Sequence, residues 1–461
     1  MTRDGAIAAA ARHLASGRFA DDLARRVAYR TVSQDPAAVP ILLAYLADEM
    51  KPTLERLGFG ARVVRADGAR EPFLVASRHE AADLPTVLIY GHGDVVGGMD
   101  ERWTAGRGPW RMVVEEDAFH GRGTADNKGQ HGLDIAALAA VIATRGDRLG
   151  FNVKVLIEMG EEAGSPGLHR LRTAHRAELA ADVLIASDGP RLARDTPTLF
   201  LGSRGALRIK LDVELRSGAH HSGNWGGLLS NPGTILASAI ATLVDGRGRL
   251  LVDALKPPPL TPEIREALAD VVVAPGRDEP ELSADWGEPG LGAAERVYAW
   301  NTLEVLSLLA GDPAAPANAI PGRAEAVLQL RYVAGTPVET LGAALRQHLD
   351  ARDFRAVAVS LEQSFAATRT PIDDPWVDWA RASITRTLGA PPAVLPNIGG
   401  ALPNDVFTEI LGLPTLWIPH SYPGCQQHAP DEHLPVAIVE EGLRIMAGLF
   451  WDLGDAGPNR R

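Results

Sequence analysis

The sequence predicts an α/β protein: a mostly parallel-sheet domain interrupted by a smaller inserted α+β domain. Three observations predict it. Short apolar, β-branched runs alternate with helical patterns in the first part of the chain and return near its end, as parallel sheets with crossover helices require. In the middle the texture shifts to strands that alternate apolar and polar residues, the mark of a sheet covered on one face. Glycine, histidine and acidic residues follow directly on several apolar runs, where open α/β sheets bind their ligands.

Residues 37–57 repeat apolar positions at helical spacing, Pro52 interrupts the pattern and Gly58 stops it. Thr86 to Tyr90 (TVLIY) is a short buried strand, residues 129–144 an alanine-rich helix that packs closely, and Phe151 to Met159 (FNVKVLIEM) a second strand. The runs at 181–187 (ADVLIAS) and 415–419 (TLWIP) add two more. Residues 206–215, 323–333 and 356–361 alternate as one-sided strands, while 231–243 and 338–350 are helical. That succession resembles a strand-helix-strand-strand-helix-strand unit with helices on one face, a ferredoxin-like arrangement. A Pro/Gly-rich acidic segment at about 255–295 reads as loop and short helix. The expected organisation is a discontinuous catalytic domain (1–204 and 367–461) around an inserted domain (205–366).

The chain of 461 residues has room for two or three domains. Its net charge is −12 and no Lys/Arg-rich run stands out, which argues against nucleic acid as a partner, because phosphate binding needs a clustered basic surface. Met1 to Arg12 lacks the apolar core of a signal peptide, and no run reaches the roughly 18 apolar residues of a membrane span. The lone Cys425 permits no internal disulfide and suits a reducing compartment. A soluble cytoplasmic protein that engages no membrane is expected.

The chemistry-bearing residues sit just beyond the apolar runs. TVLIY leads into Gly91-His92-Gly93-Asp94, FNVKVLIEM into Gly160-Glu161-Glu162, VLIAS into Asp188-Gly189, and TLWIP, after a short loop, into Gln427-His428. Asp126 lies in a glycine-containing turn just before the 129–144 helix. Two imidazoles and several carboxylates are a ligand set for paired zinc ions, which in two-metal sites stand about 3.5–4 Å apart. Asp94, two residues from His92, is placed to orient that imidazole. Of Glu161 and Glu162, one can ligate while the other takes a proton from the activated water, the division of labour that amide hydrolysis needs. Singly, each has a plain structural reading. His92 fits a core histidine, Asp126 a helix cap, Glu161-Glu162 a solvated first helical turn and Asp188-Gly189 a turn. Their joint occurrence at strand ends favours a metal site.

At these motifs the chain resembles the zinc aminoacylase and dipeptidase family, which includes carnosine dipeptidases, glutamate carboxypeptidase, acetylornithine deacetylase and succinyl-diaminopimelate desuccinylase. The matching segments are GHGDVV (91–96), GRGTADNKGQ (121–130), GEEAGSPG (160–167), SDGP (187–190), HSGNWGG (221–227), NAIPGRAEA (318–326), GGALPND (399–405) and HAPDEH (428–433). The resemblance implies two Zn2+ per subunit, with Mn2+ or Co2+ able to occupy the same donors. By it, His92, Asp126 and Asp188 hold one ion, and Asp126, Glu162 and His428 the other. Glu161 is implied as general base, Asp94 as orienter of His92, and the inserted domain as a lid that also forms a homodimer. His221 matches a lid histidine that stabilises an oxyanion in a partner subunit's site, and Arg331 an arginine that binds a substrate carboxylate. Asn318, Gly400 and Ala401 fall in substrate-binding segments. Two positions depart from the dipeptidase pattern: Ala401 stands where a serine is common, and Asn127 where a second acid is usual.

Among the remaining residues, Cys425 near His428 invites a thiol-nucleophile reading, but no third orienting group is evident. His120 and His131 read as packing or surface histidines, and the register of the motif favours His221 over His220. The glycine runs lack the strand-glycine-helix context of a dinucleotide site. The expected function is metal-dependent cleavage of an amide bond in dipeptides or small peptides. The alternative is an N-acyl-amino-acid deacylase of the acetylornithine deacetylase or desuccinylase type, and outside the enzymes, a binding protein that keeps the fold without catalysis.

Overall fold

Along the chain the strands that position the site are β1 (Gly60–Arg65), β2 (Pro72–Arg78), β3 (Thr86–His92), β4 (Asn152–Glu158), β5 (Val183–Ala186) and β6 (Thr198–Phe200). They are followed by β7 (Gly205–Glu214), β8 (Thr302–Ala310), β9 (Arg323–Tyr332), β10 (Val357–Phe365), β11 (Ala393–Leu395) and β12 (Thr415–Trp417). The structure, a computed structural model, describes residues 1–273 and 281–458; the part of the expected Pro/Gly-rich loop at 274–280 lies outside the described residues. The chain divides into two units, Met1–Gly202 with Thr370–Leu395 and Pro403–Arg461, and Ser203–Arg369 with Pro396–Leu402. Pro396–Leu402 therefore groups with the second unit, whereas the sequence boundaries leave it with the first.

In the first unit eight strands form one sheet in the order β1-β2-β4-β3-β5-β12-β6-β11. The centre, β4-β3-β5-β12, is parallel, and these strands are the continuous apolar runs of the sequence, buried on both faces. The margins are mixed: β1 and β2 pair antiparallel, as do β2 with β4 and β12 with β6. Val87, Ile89, Val153, Val155, Ile157, Val183 and Ile185 share one core with helices α1 (Arg3–Ala15), α2 (Lys128–Thr144) and α3 (Val436–Asp455). Fully burying a branched or long aliphatic chain of this kind stabilises by about 1.5–3 kcal/mol. The alanines and glycines of α2 let it sit deep in this core: a Cβ at Gly132 would strike the Arg26 guanidinium, and one at Gly129 the Thr124 carbonyl.

The expected helix at 37–57 is broken into α-helical Val39–Ala44, a π-helix over Tyr45–Met50 and α-helical Lys51–Glu55. Pro52 has no N–H for the Asp48 carbonyl, and the turn before it is the widened one. Gly58 ends the run at φ +80°.

In the second unit β7–β10 form an antiparallel sheet in the order β8-β9-β7-β10. Ile209, Leu211, Val213, Leu328 and Leu330 cover one face together with Leu236, Ile240, Leu341, Leu345 and Leu349 of the helices Pro232–Ile240 and Val338–Asp350. The edge strand β8 leaves Val305, Leu306, Leu308 and Leu309 exposed. Among the described residues no helix is long and apolar enough to cross a membrane.

Candidate metal centre

In the first unit five side chains converge beyond the carboxyl ends of the central strands. His92 is the last residue of β3 and is 1% exposed. Its Nε2 lies 3.0 Å from Asp126 Oδ1 and 3.7 Å from Asp188 Oδ2. The other Asp126 oxygen, Oδ2, lies 3.1 Å from His428 Nε2, which is 3.0 Å from Glu162 Oε2. The result is two clusters, His92-Asp126-Asp188 and Asp126-Glu162-His428, that share Asp126; within each, the donor atoms lie within 4.8 Å of one another.

Local structure explains the placement. Glycines flank His92 because the neighbours leave no room: a Cβ at Gly91 would come within 2.6 Å of His131 Cβ, and one at Gly93 would strike the Tyr45 ring. Glu161 and Glu162 open a 3-10 turn after β4, and the fully buried Asp94 accepts both their N–H groups, at 3.2 Å (Oδ1) and 3.0 Å (Oδ2). The same carboxylate has Oδ1 3.4 Å from His92 Nδ1, whose closer partner is the Asp94 carbonyl at 3.1 Å. His428 adopts φ +62°, a left-handed conformation that histidine enters more readily than most non-glycine residues.

The charges are interdependent. Burial pushes Glu162 up to about 7 and Asp188 up to about 6, and the Asp126 charge adds to both. Burial likewise lifts Glu161 well above the carboxylate range. Burial also acts to raise Asp126, but His428 and His92 outweigh it and hold this carboxyl low. Burial opposes charge on His92, yet Asp188, Asp126 and Asp94 together raise it well above its ordinary value. Hydrogen bonds to Asp126 and then Glu162 push His428 up to about 10. Such a cluster draws protons into the places a divalent cation would neutralise, and a bound cation inverts these shifts. The donors fit one: Asp188 Oδ2 and Glu162 Oε1 are buried without a hydrogen-bond partner, and imidazole nitrogen with carboxylate oxygen suits zinc, manganese or cobalt.

The other residues singled out by sequence lie in the second unit. His221 is exposed, its Nδ1 accepts from Gly223 N at 3.1 Å, and its backbone pairs with Ala319. The Asn318 carbonyl accepts from Ser222 N at 2.8 Å. Arg331 is half-buried on β9, between Ala206 and Thr302. Gly400 is exposed, with its carbonyl bonded to Arg204 N at 3.2 Å, and Ala401 is partly covered. Cys425 is fully buried, and burial pushes its thiol up to about 12, which makes it an inert group rather than a nucleophile. His120 is buried against His433, with ring centroids 5.2 Å apart.

Sequence reasoning passed over Glu432. This fully buried carboxylate accepts from Gly123 N (3.0 Å), Ala125 N (2.9 Å) and Asp126 N (3.1 Å) and from Arg122 Nη1 (2.8 Å). It therefore holds the turn that presents Asp126. An acidic residue four positions after His428, inside HAPDEH, was its one signal.

With this geometry in view, comparisons with known proteins agree on one group. The family model described as peptidase family M20/M25/M40 matches residues 88–452. The Beta-Ala-His dipeptidase of Rattus norvegicus is 26% identical over 446 residues, covering 89% of this chain and 87% of that one. The Cys-Gly metallodipeptidase DUG1 of Candida albicans is 25% identical over 479 residues, covering 95% of each. The solved structure of the dipeptidase Dug1p from Saccharomyces cerevisiae superimposes with a TM-score of 0.74 over 99% of this chain and 100% of that one, at 21% identity; it shows the shared fold.

Proposed function

The chain belongs to peptidase family M20/M25/M40, and from that membership we propose that it is a metal-dependent dipeptidase acting on the amide bond of dipeptides or small peptides. The observation that carries this reading is the pair of three-residue clusters joined through the two oxygens of Asp126. Relatives matching nearly the whole chain are named as dipeptidases, which supports a dipeptide rather than an N-acyl amino acid as substrate.

In this reading His92, Asp126 and Asp188 hold one zinc ion and Asp126, Glu162 and His428 the second. When bound, such ions supply Lewis acidity to the scissile carbonyl and lower the pKa of an attacking water. Glu161 is the general base: it takes the proton of that water and delivers it to the leaving amine. Asp94 fixes the Glu161-Glu162 turn through both backbone N–H groups. Asp126 keeps its two oxygens directed to opposite imidazoles, with Glu432 fixing the turn beneath it.

The second unit is read as a ferredoxin-like lid and dimerisation domain. Its β-α-β-β-α-β order and antiparallel sheet support the first part. The exposed apolar edge β8 supports a homodimer, because an uncovered apolar edge strand is a template for pairing. His221, Arg331, Asn318, Gly400 and Ala401 contribute donors to the substrate in this reading. A cytoplasmic location belongs to the same proposal, supported by the single free cysteine. Turnover of a dipeptide panel against the same compounds N-acetylated, with and without added Zn2+, Mn2+ or Co2+, tests it. Metal-dependent cleavage of free dipeptides is expected; preference for the N-acetylated series would establish a deacylase instead.

A further inference from the structure

Behind His92 runs a buried polar chain that the catalytic reading does not use. Asn127 Nδ2 donates to the Ser187 carbonyl at 2.8 Å. Asn127 Oδ1 faces His131 Nδ1 at 3.1 Å and, more distantly, His92 N at 3.4 Å. His131 Nε2 lies 2.9 Å from the Tyr45 hydroxyl. Asn127 and Tyr45 are fully buried, and His131 is 1% exposed.

The direction of every donor follows from the Ser187 carbonyl, which only accepts. It fixes the amide nitrogen of Asn127 on its side and turns Oδ1 toward β3. His131 then carries its proton on Nδ1, and bare Nε2 accepts from Tyr45. This requires a neutral ring, and burial indeed drives His131 well below its ordinary pKa. Tyr45 reaches the ring from the π-helical turn over Tyr45–Met50, a deviation that frequently marks functional positions.

Two links of this chain touch the metal-ligand strands. Ser187 immediately precedes Asp188, and the His92 N–H faces Asn127. We propose that Asn127 is a positioning residue that ties the end of β3 to the end of β5 through its amide, and so sets the spacing between His92 and Asp188, with Tyr45 and His131 locking its orientation. An alanine at 127 has no N–H for Ser187, and an aspartate could serve that carbonyl only by keeping its proton, as a buried carboxyl can. The tight packing supports the same conclusion: a Cβ at Gly91 would stand 3.1 Å from Asn127 Oδ1 and would displace the contact to His92.

The proposal rests on the metal-centre reading and is tested with Co2+ as the probe. Metal-free full-length protein is titrated with Co2+, read by visible absorption and by competition with a chelator. The wild type takes up two ions. N127A loses about 10- to 100-fold in affinity for one of them, the range seen when partners of ligating residues are removed, with a shifted d–d band. Y45F, which keeps the ring and its packing, shifts the band in the same sense with a smaller loss. S383A removes the 2.6 Å buried hydrogen bond to Asp452 and lowers Tm without moving Co2+ affinity, which separates positioning from general destabilisation. Unchanged Co2+ affinity and spectrum in N127A, or in Y45F should N127A fail to fold, overturns the positioning role. A wild type that binds no Co2+ overturns the metal reading instead.

Discussion

Replacing Glu432 with alanine tests how the bridging aspartate is held. The carboxylate is the partner of Arg122, which is itself 1% exposed, and of three backbone N–H groups in the turn 123–126. Removing one member of a buried ion pair costs about 3–5 kcal/mol, because the other charge is left without compensation. The orphaned N–H groups add to this, each about 1–3 kcal/mol if water does not reach them. These losses share one site and do not sum, so about 3–5 kcal/mol is the expectation for the first unit. At about 2 °C per kcal/mol for a unit of this size, Glu432→Ala lowers the Tm of the metal-free protein by roughly 6–10 °C. Thermal unfolding followed by circular dichroism, with chelator present in both samples, measures it. A Tm within about 2 °C of wild type would show that the turn holds Asp126 without Glu432.

Glu161→Gln keeps every proposed metal ligand and removes the proton acceptor. It should retain its metal by elemental analysis while kcat falls by about 10²–10⁴, and near-normal turnover would remove Glu161 from the base role. The ligands also predict a pH dependence. Without metal, Glu162 at about 7 and Asp188 at about 6 are raised above their ordinary values, so the folded state keeps protons that the unfolded chain releases, and their contribution to stability falls as pH rises through that range. His428 is raised to about 10; its contribution is complete below its unfolded pKa, about 6.5, and is lost as pH rises toward 10. Metal uptake must expel these protons. The gap in urea midpoint between zinc-loaded and metal-free protein should therefore widen between about pH 5 and 8, and calorimetry in buffers of different ionisation enthalpy should register proton release. A gap that narrows over that window contradicts the assigned ligands.

Much of the architecture was legible because the central strands are apolar on both faces. TVLIY, FNVKVLIEM and VLIAS each became a parallel strand with its polar residues just beyond the end. The antiparallel margins were not legible: β1 exposes alternate residues and carries arginines at both Arg62 and Arg65, which conceals its pairing with β2. The break at Tyr45–Met50 was signalled only by Pro52, whose effect reaches upstream of its own position. Of the candidate site, the convergence of His92, Asp126, Glu162, Asp188 and His428 was readable because each follows an apolar run or stands just before a helix. Glu432 and the Asn127-His131-Tyr45 chain were not, since their roles depend on backbone groups and neighbours brought together by folding. Asn127 stood out in the sequence only as a departure from a pattern, and the carbonyl of Ser187 supplies the reason an amide suits that place.

In the proposed centre, residues from five separate stretches hold two cations through a shared aspartate. Anomalous scattering from a crystal of the zinc-loaded protein, collected on both sides of the zinc absorption edge, locates such ions without reference to the protein chain. Two peaks are predicted, one within reach of His92, Asp126 and Asp188 and one within reach of Asp126, Glu162 and His428. No peak at these residues, or a single ion that leaves Asp126 without a bridging role, would contradict it.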